Sequence, residues 1–180
     1  MVTNIKYRKI ALLVSAIVCS IWSISCSSIN EELPTYADTS IVEIGDFAPK
    51  FEIESLGGDT LSISDETSTL LILFSHTCPD CINLMRDLQE WLDSNDATHN
   101  IIAISRGGTK EQIASFCEDY GLTFPIAADE AAEIYYRYAT MYVPRCYVID
   151  NQGIIRLMIC EYSEGDIDKL MNALTDIQHP

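Results

Sequence analysis

Leu70-Leu-Ile-Leu-Phe-Ser-His-Thr-Cys78-Pro-Asp-Cys81 joins a predicted strand to a predicted helix. Its first five residues are all apolar, a run that is too short for a helix and typical of a fully buried strand. Pro79 stands where a proline fits the first turn of a helix, and apolar residues then recur at helical spacing, at Ile82, Met85, Leu88 and Leu92. A Cys-x-x-Cys between a strand and a helix is typical of a redox motif and not of half a zinc site.

The N-terminal residues predict export. Three basic residues precede an apolar run at residues 10–24, which falls short of the ~20 residues needed to span a membrane. Ser25 then precedes Cys26, in a pattern that resembles a bacterial lipoprotein signal. We therefore expect residues 1–25 to be a lipoprotein signal peptide and Cys26 to be lipidated. A plain signal peptide or a single anchor helix is the alternative.

The next residues separate this signal from the domain. Residues 26–40 are polar and show no periodicity, so we interpret them as a tether. We place the globular domain at residues 41–180. These assignments predict an exported protein of the bacterial cell envelope, lipid-anchored to a membrane and facing the periplasm or the cell surface.

The acidic composition excludes some classes of partner. The chain has 27 Asp and Glu against 11 Lys and Arg, a formal net charge of −16. Removal of residues 1–25 takes away three basic residues and no acidic ones, which leaves 8 against 27 and a charge of −19. Such acidity argues against nucleic acid as a partner, and against binding of anionic lipid through a basic patch.

The order of elements predicts an α/β fold. Two short alternating strands come first, at residues 51–53 and 61–63, and we expect them to pair as a hairpin. The expected order then continues with a strand at 70–75, the helix after Cys81 and a strand at 100–105. Helices at 110–120 and 130–139, strands at 146–149 and 154–159, and a helix at 166–177 complete it. This order predicts a thioredoxin-like three-layer α/β/α sandwich, with a central mixed sheet and an N-terminal β-hairpin extension.

The two motif cysteines predict thiol–disulfide exchange. Cys78 stands at the helix N-terminus, where free N–H groups favour a thiolate, so we expect it to be the nucleophile. Cys81, one turn further in, is expected to be the resolving thiol that attacks the mixed disulfide. An ionised Asp80 would oppose the thiolate and make the pair more reducing, and His76 could supply positive charge or move a proton, or simply be exposed. No cofactor is expected beyond the redox-active disulfide itself.

Other cysteines and histidines suggest neither a metal nor a second disulfide. A zinc site would need two further ligands near the motif, and the sequence has no second Cys-x-x-Cys and no His-x-x-x-His. We therefore predict no metal. Buried free cysteine is a common core residue, and we expect this role for Cys117, Cys146 and Cys160. The alternative for Cys146 is a third thiol within reach of the Cys78–Cys81 pair.

Three segments in order resemble the TlpA/ResA-like thioredoxin family of exported thiol–disulfide oxidoreductases. They are Gly45-Asp-Phe-Ala-Pro-Lys-Phe51, Phe74-Ser-His-Thr-Cys-Pro-Asp-Cys81, and Val143-Pro144 leading to Val148-Ile-Asp-Asn-Gln-Gly-Ile154. The resemblance implies that Pro144 is cis, that its loop packs beside Cys78 and Cys81, and that the backbone of Val143 pairs with an extended substrate chain. The expected substrate-binding residues are thus Val143, Pro144, Pro79 and Asp80. The implied reaction is reduction of disulfides in exported protein partners, with electrons from an unidentified donor.

The sequence also departs from that family. Thr77 stands where the family has Trp before the first cysteine, and Leu84 stands where it has a buried glutamate that accepts a proton. The general base is therefore unassigned, with His76 and Asp80 as the nearest titratable candidates. Arg145 follows Pro144 where the family favours Thr.

Two alternatives stay open. A peroxiredoxin shares the fold and the opening Gly-Asp-Phe-Ala-Pro, but its Pro-x-x-x-Thr-x-x-Cys signature meets Leu71 and Ser75 here. The non-enzymatic alternative is a copper- or haem-delivery module that binds through Cys78, Cys81 and His76.

Overall fold

The computed structural model describes residues 33–95 and 99–178; the predicted signal peptide, Cys26 and the first part of the predicted tether lie outside the described residues. The helices are α1 (Tyr36–Thr39), α2 (Pro79–Ser94), α3 (Lys110–Tyr120), α4 (Tyr135–Tyr138) and α5 (Asp166–Gln178). The strands are β1 (Glu52–Glu54), β2 (Thr60–Ser62), β3 (Thr69–Phe74), β4 (Asn100–Arg106), β5 (Ile126–Asp129), β6 (Arg145–Ile149) and β7 (Ile155–Cys160). Within the described ranges, no helix is both long and apolar enough to cross a membrane. The described residues from Pro34 onward form one compact unit.

The main sheet has β3 at its centre. The five strands lie in the order β5-β4-β3-β6-β7, with β3 parallel to β4 and antiparallel to β6. Leu70 pairs with Ile101 on one side and with Val148 on the other, and all six residues of β3 are buried. A strand buried on both faces and both edges has to be apolar throughout, which explains the uninterrupted run in the sequence. The mixed sheet confirms the predicted fold class.

Helices and the hairpin cover opposite faces of this sheet. Leu70, Ile72 and Phe74 pack against α2, α3 and α5, while Leu71 and Leu73 face α4 and the hairpin. The β1–β2 hairpin forms its own two-stranded antiparallel sheet, as the sequence predicts. The third layer is therefore made of a short helix and a hairpin, and α2, the helix that begins after Cys78, lies in the fully helical layer.

The helix predicted at 130–139 is much shorter, because the chain turns at Ala132. This residue has a φ of 57°, which interrupts right-handed helical geometry, and helix α4 only begins at Tyr135. Asp129 still acts as an N-terminal cap for the segment, since its carboxylate accepts the backbone N–H groups of Glu133, Ile134 and Tyr135 at 2.8–3.1 Å. Asp129 itself is the last residue of β5.

The last residues of the predicted tether pack onto the domain. Helix α1 carries a capping box between Thr35 and Asp38, and Thr39 is buried. Ser40 forms a β-bridge with Ala139, and the next backbone N–H donates to Tyr138 at 2.9 Å. These contacts reach about a hundred residues along the chain, so the local polarity of the stretch does not reveal them.

Candidate active site

The Cys-x-x-Cys motif lies where β3 passes into α2. Cys78 is the N-cap residue with extended backbone angles, Pro79 is the first helical residue, and the Cys78 backbone N–H closes the preceding turn on Ser75 at 3.1 Å. Cys78 is partly exposed, whereas Cys81, three residues further on, is 0% exposed. The backbone N–H of Ser75 donates to the Cys81 sulfur at 3.4 Å. One thiol therefore faces the surface and the other lies directly beneath it.

The loop before β6 lies against the exposed thiol. The Cys78 thiol donates to the carbonyl oxygen of Val143 at 3.6 Å, and the peptide bond between Val143 and Pro144 is cis. Both features agree with what the family resemblance implies. The chain thus brings Cys78, Cys81 and the Val143–Pro144 loop together, although 65 residues separate Cys78 from Val143.

Hydrogen bonds from polar side chains fix the position of this loop. Tyr142 has a φ of 67°, a left-handed conformation that costs a non-glycine residue about 1–2 kcal/mol. The Tyr135 hydroxyl donates to the Tyr142 carbonyl at 2.8 Å, and the Tyr142 hydroxyl donates to the Pro34 carbonyl at 2.9 Å. The Arg145 guanidinium donates twice to the carbonyl of Met141, at 3.0 and 3.1 Å. These bonds offset the strain at Tyr142 and fix the position of Val143.

The surroundings of Cys81 keep it protonated. Burial raises the pKa of the Cys81 thiol, the Ser75 N–H opposes that rise, and a hydrogen bond with Cys78 adds to it. A thiolate is the nucleophilic form of cysteine, so Cys81 can react only after it loses its proton. This arrangement separates an accessible thiol from a buried one.

The predicted proton and charge modulators make no hydrogen bond to either thiol in the part of the chain that the structure describes. Pro79 and Asp80 are exposed on the first turn of α2, beside Cys78. The His76 ring lies against Gly108, so close that a Cβ on Gly108 would stand 2.8 Å from its Cε1 atom. Leu84, at the position of the family's glutamate, is fully buried in the apolar core. The general base remains unassigned.

The other described cysteines lie apart from the exposed face of the site. Cys146 is fully buried in the core cluster that contains Cys81, and burial raises its pKa. Cys117 and Cys160 are half-buried, and burial raises the pKa of each. All three are free thiols, and the residues that the structure describes contain no cluster of three potential metal ligands.

The residues that support the loop do not stand out in the sequence. Arg145 is a departure from the family pattern, yet it is 1% exposed and among the largest fully buried side chains. Tyr135 falls inside the predicted helix at 130–139, and Tyr142 falls in the connection that follows it. The one available signal was an arginine at the start of a strand whose other residues are apolar or aromatic.

Comparisons with known proteins agree with this geometry. Residues 44–158 match the AhpC/TSA family. The chain belongs to this family. The thiol–disulfide oxidoreductase ResA of Oceanobacillus iheyensis is 29% identical over 149 residues, covering 78% of this chain and 76% of that protein. The thioredoxin-like protein YneN of Bacillus subtilis is 28% identical over 128 residues, covering 68% of this chain and 75% of that protein.

A solved structure gives the same result. The solution structure of a candidate protein disulfide isomerase from Bacteroides thetaiotaomicron superposes with a TM-score of 0.71 at 25% identity, covering 79% of this chain and 94% of the other. The predicted resemblance to ResA-like proteins and the predicted thioredoxin-like fold are confirmed. This AhpC/TSA protein is a thiol–disulfide oxidoreductase.

Proposed function

We propose that this AhpC/TSA protein is a lipid-anchored disulfide reductase of the bacterial cell envelope, which acts on exported proteins through Cys78 and Cys81. One observation carries the proposal. A partly exposed thiol at a helix N-terminus lies 3.6 Å from the carbonyl oxygen of Val143, with a second thiol buried beneath it. Such a site presents one sulfur to a disulfide in another chain and keeps the second sulfur for release.

The reaction begins at Cys78. Its thiolate attacks one sulfur of a substrate disulfide, a mixed disulfide forms, and the other substrate sulfur leaves as a thiolate that takes a proton from water. The Cys81 thiol then attacks the Cys78 sulfur as a thiolate, and the second substrate sulfur leaves as a thiolate that takes up, through water, the proton given up by Cys81. Two electrons have passed from the dithiol to the substrate, and the Cys78–Cys81 disulfide remains. An external dithiol donor must reduce that disulfide before the next turnover.

The Val143 carbonyl changes partner during this cycle. Its oxygen accepts a hydrogen bond from the Cys78 thiol in the reduced protein, and it loses that donor when Cys78 becomes a thiolate. An N–H group of an extended substrate chain can then replace the thiol as donor, which would align the substrate with the attacking sulfur. Pro79 and Asp80 are exposed on the same side and would contact the flanking substrate residues.

Anchoring and direction rest on the sequence. The signal pattern ahead of Cys26 supports lipidation at that residue, and replacement of Cys26 by Ser is expected to move the protein from the membrane fraction to the soluble fraction. The reducing direction is supported by Asp80, whose negative charge would disfavour the thiolate and so the reduced pair. Asp80 stands in the first turn of α2, two residues after Cys78.

Disulfide exchange tests this proposal on the chain from Ser27 onward. We expect Cys78→Ser to abolish reduction of protein disulfides, and Cys81→Ser to accumulate mixed disulfides that a non-reducing gel resolves. Cys117→Ser is the matched control, because Cys117 is half-buried on α3 and should leave the rate unchanged. Full activity in either motif variant would contradict the assignment.

The reduction potential of the Cys78–Cys81 pair then decides the direction. A value near or below ~−230 mV, towards the range of thioredoxin, is expected for a reductase, and a value near ~−120 mV would make the protein an oxidant. Turnover driven by hydrogen peroxide would favour a peroxidase. A pair without a reversible couple that binds Cu(I) stoichiometrically would favour a metal-delivery module.

A further inference from the structure

A groove on the surface of α3 adjoins the loop that carries the Cys-x-x-Cys motif. Its volume is about 460 Å³, and α3 supplies all of its lining residues except His76. His76 stands two residues before Cys78, and two residues of extended chain span at most about 7 Å. The groove therefore begins next to the partly exposed thiol.

Packing fixes the end of the groove that lies at the motif. The His76 ring contacts Gly108, where a Cβ atom would stand 2.8 Å from Cε1 of His76. Gly108 directly precedes Thr109, the N-cap residue of α3. The first turn of α3 is therefore held at a fixed position beside the motif.

Two carboxylates give the groove a negative charge. Glu111 and Asp119 line it and are exposed, and their spacing of eight residues corresponds to about 12 Å along a helix axis. Neither belongs to an ion pair in the part of the chain that the structure describes, and the neighbouring Lys110 pairs with Glu54 at 2.9 Å. Hydrogen bonds from its own backbone N–H and from Thr109 lower the pKa of Glu111, so this carboxylate is ionised at neutral pH. Of the described residues that line the groove, none is a lysine or an arginine.

An aromatic ring belongs to the same wall. Tyr120 is 38% exposed, and its ring packs on the buried Phe116 with the ring centroids 5.0 Å apart. The face of a tyrosine ring attracts an ammonium or guanidinium group, and the aliphatic stem of lysine or arginine covers apolar surface while its charged end stays in water. A groove with two carboxylates and an exposed ring is therefore suited to a basic side chain.

The charge of the rest of the molecule favours the same ligand. Asp80 is exposed on the first turn of α2, two residues after Cys78. Without residues 1–25 the chain has 8 basic and 27 acidic residues, a formal charge of −19. Complementary charge accelerates the encounter of two proteins, and like charge disfavours it. Basic substrates are therefore favoured both in reaching the site and in binding beside it.

We propose that the groove binds a lysine or arginine side chain of the protein substrate, about three to five residues from the cysteine that Cys78 attacks. An extended chain rises about 3.4 Å per residue, so residues at this spacing reach from Cys78 to the groove. The substrate class is then exported proteins whose reactive disulfide is flanked by basic residues, a specificity that rests on the proposed function.

Single-turnover exchange with short peptides tests the proposal, on the reduced chain from Ser27 onward. Each peptide carries one central cysteine as a disulfide with 2-thiopyridine, flanked at the proposed spacing by lysine, glutamine or glutamate. Cys78 attacks the peptide sulfur, and the pyridyl sulfur leaves and takes up a proton as 2-thiopyridone, whose absorbance is followed. Each rate is divided by the rate of the same peptide with mercaptoethanol, which removes differences in intrinsic reactivity. We expect the lysine peptide to react about tenfold faster than the glutamate peptide at low ionic strength, and added salt should reduce this ratio.

Two double variants separate the groove from the net charge. Glu111→Gln combined with Asp119→Asn should reduce the ratio of the two rates to about twofold. The matched control, Glu118→Gln combined with Glu133→Gln, removes the same charge from exposed residues outside the groove and should keep most of the ratio. All four side chains are exposed and outside the ion pairs of the described residues, so both double variants should fold.

Equal rates for the lysine and glutamate peptides in the wild-type chain would overturn the proposal. An equal loss of preference in the two double variants would also overturn it, because the preference would then come from net charge and not from the groove. Failure of exchange with every peptide would contradict the proposed function itself, and with it the role of the groove.

Discussion

Tyr135→Phe removes one hydroxyl that holds the loop beside Cys78. The ring is retained, together with its contact with the Arg106 guanidinium 4.4 Å from the ring centroid. What is lost is the hydrogen bond of 2.8 Å from the Tyr135 hydroxyl to the Tyr142 carbonyl. Tyr142 directly precedes Val143, so we expect the change to reach the carbonyl that contacts Cys78.

The expected loss of activity in Tyr135→Phe follows from two free energies at Tyr142. Its left-handed conformation costs about 1–2 kcal/mol, and a buried hydrogen bond contributes about 1 kcal/mol to stability. Loss of that bond removes much of the compensation for the strained conformation. A change of about 1 kcal/mol corresponds to a roughly fivefold change in the population of the loop conformation. We therefore expect kcat/KM for a protein disulfide to fall about fivefold.

Tyr138→Phe is the matched control. Tyr138 is as fully buried as Tyr135, and its hydroxyl donates to the Pro49 carbonyl at 2.6 Å, which is not part of the loop. Urea denaturation should show that both variants lose about 1 kcal/mol of unfolding free energy. Reduction of insulin by dithiothreitol, followed by turbidity, should show a slower rate only for Tyr135→Phe. Equal rates in the two variants, at equal loss of stability, would refute the reasoning.

Three further outcomes follow from the structure. Iodoacetamide should label Cys78 and spare Cys81 in the native protein between pH 6 and 9, because Cys81 is buried and its pKa is raised by burial. Equal labelling of the two cysteines in peptide mass spectrometry would contradict this expectation. Burial raises the pKa of Asp150, but hydrogen bonds from backbone N–H groups and from Arg156 outweigh burial, so the pKa in the folded protein is lowered. The ionised Asp150 carboxylate therefore stabilises the fold above the unfolded-state pKa of about 3.9, and this stabilisation is lost as the pH falls through the lower folded-state pKa. Asp150→Asn should cost about 2 kcal/mol at pH 7, and in urea titrations the gap from wild type should close below about pH 4. Gly108→Ala should destabilise the fold by about 1–2 kcal/mol in thermal melts, through its φ of 84° and a clash with His76, and an unchanged melting temperature would exclude both causes.

Much of the fold could be predicted because its signals are local. The apolar run of β3, the proline at the first position of α2 and the capping box of α3 each depend on residues only a few positions apart. The accessible thiol at the start of α2 and the buried thiol one turn later follow from the same local geometry. The short helix α4 could not be predicted in its true length, because the left-handed turn at Ala132 interrupts a sequence that is otherwise compatible with a helix.

The supports of the site depend on distant contacts. Nothing near Arg145 in the chain indicates that its guanidinium is buried, since its partners Thr39 and Ser40 lie more than a hundred residues away. The same holds for the hydroxyl of Tyr142, which reaches Pro34. A polar side chain at the start of a strand is equally compatible with exposure and with burial, and only its partners decide between them.

The sequence by itself determined the strand, the Cys-x-x-Cys motif, the helix that follows and hence the chemistry, because backbone propensity and hydrophobic periodicity act between neighbouring residues. The tertiary structure decided how the Val143–Pro144 loop is held, which contacts fix residues 35–40, and where the guanidinium of Arg145 is buried. These features depend on hydrogen bonds and burial between segments far apart in the chain, and their energies exist only once those segments have packed together.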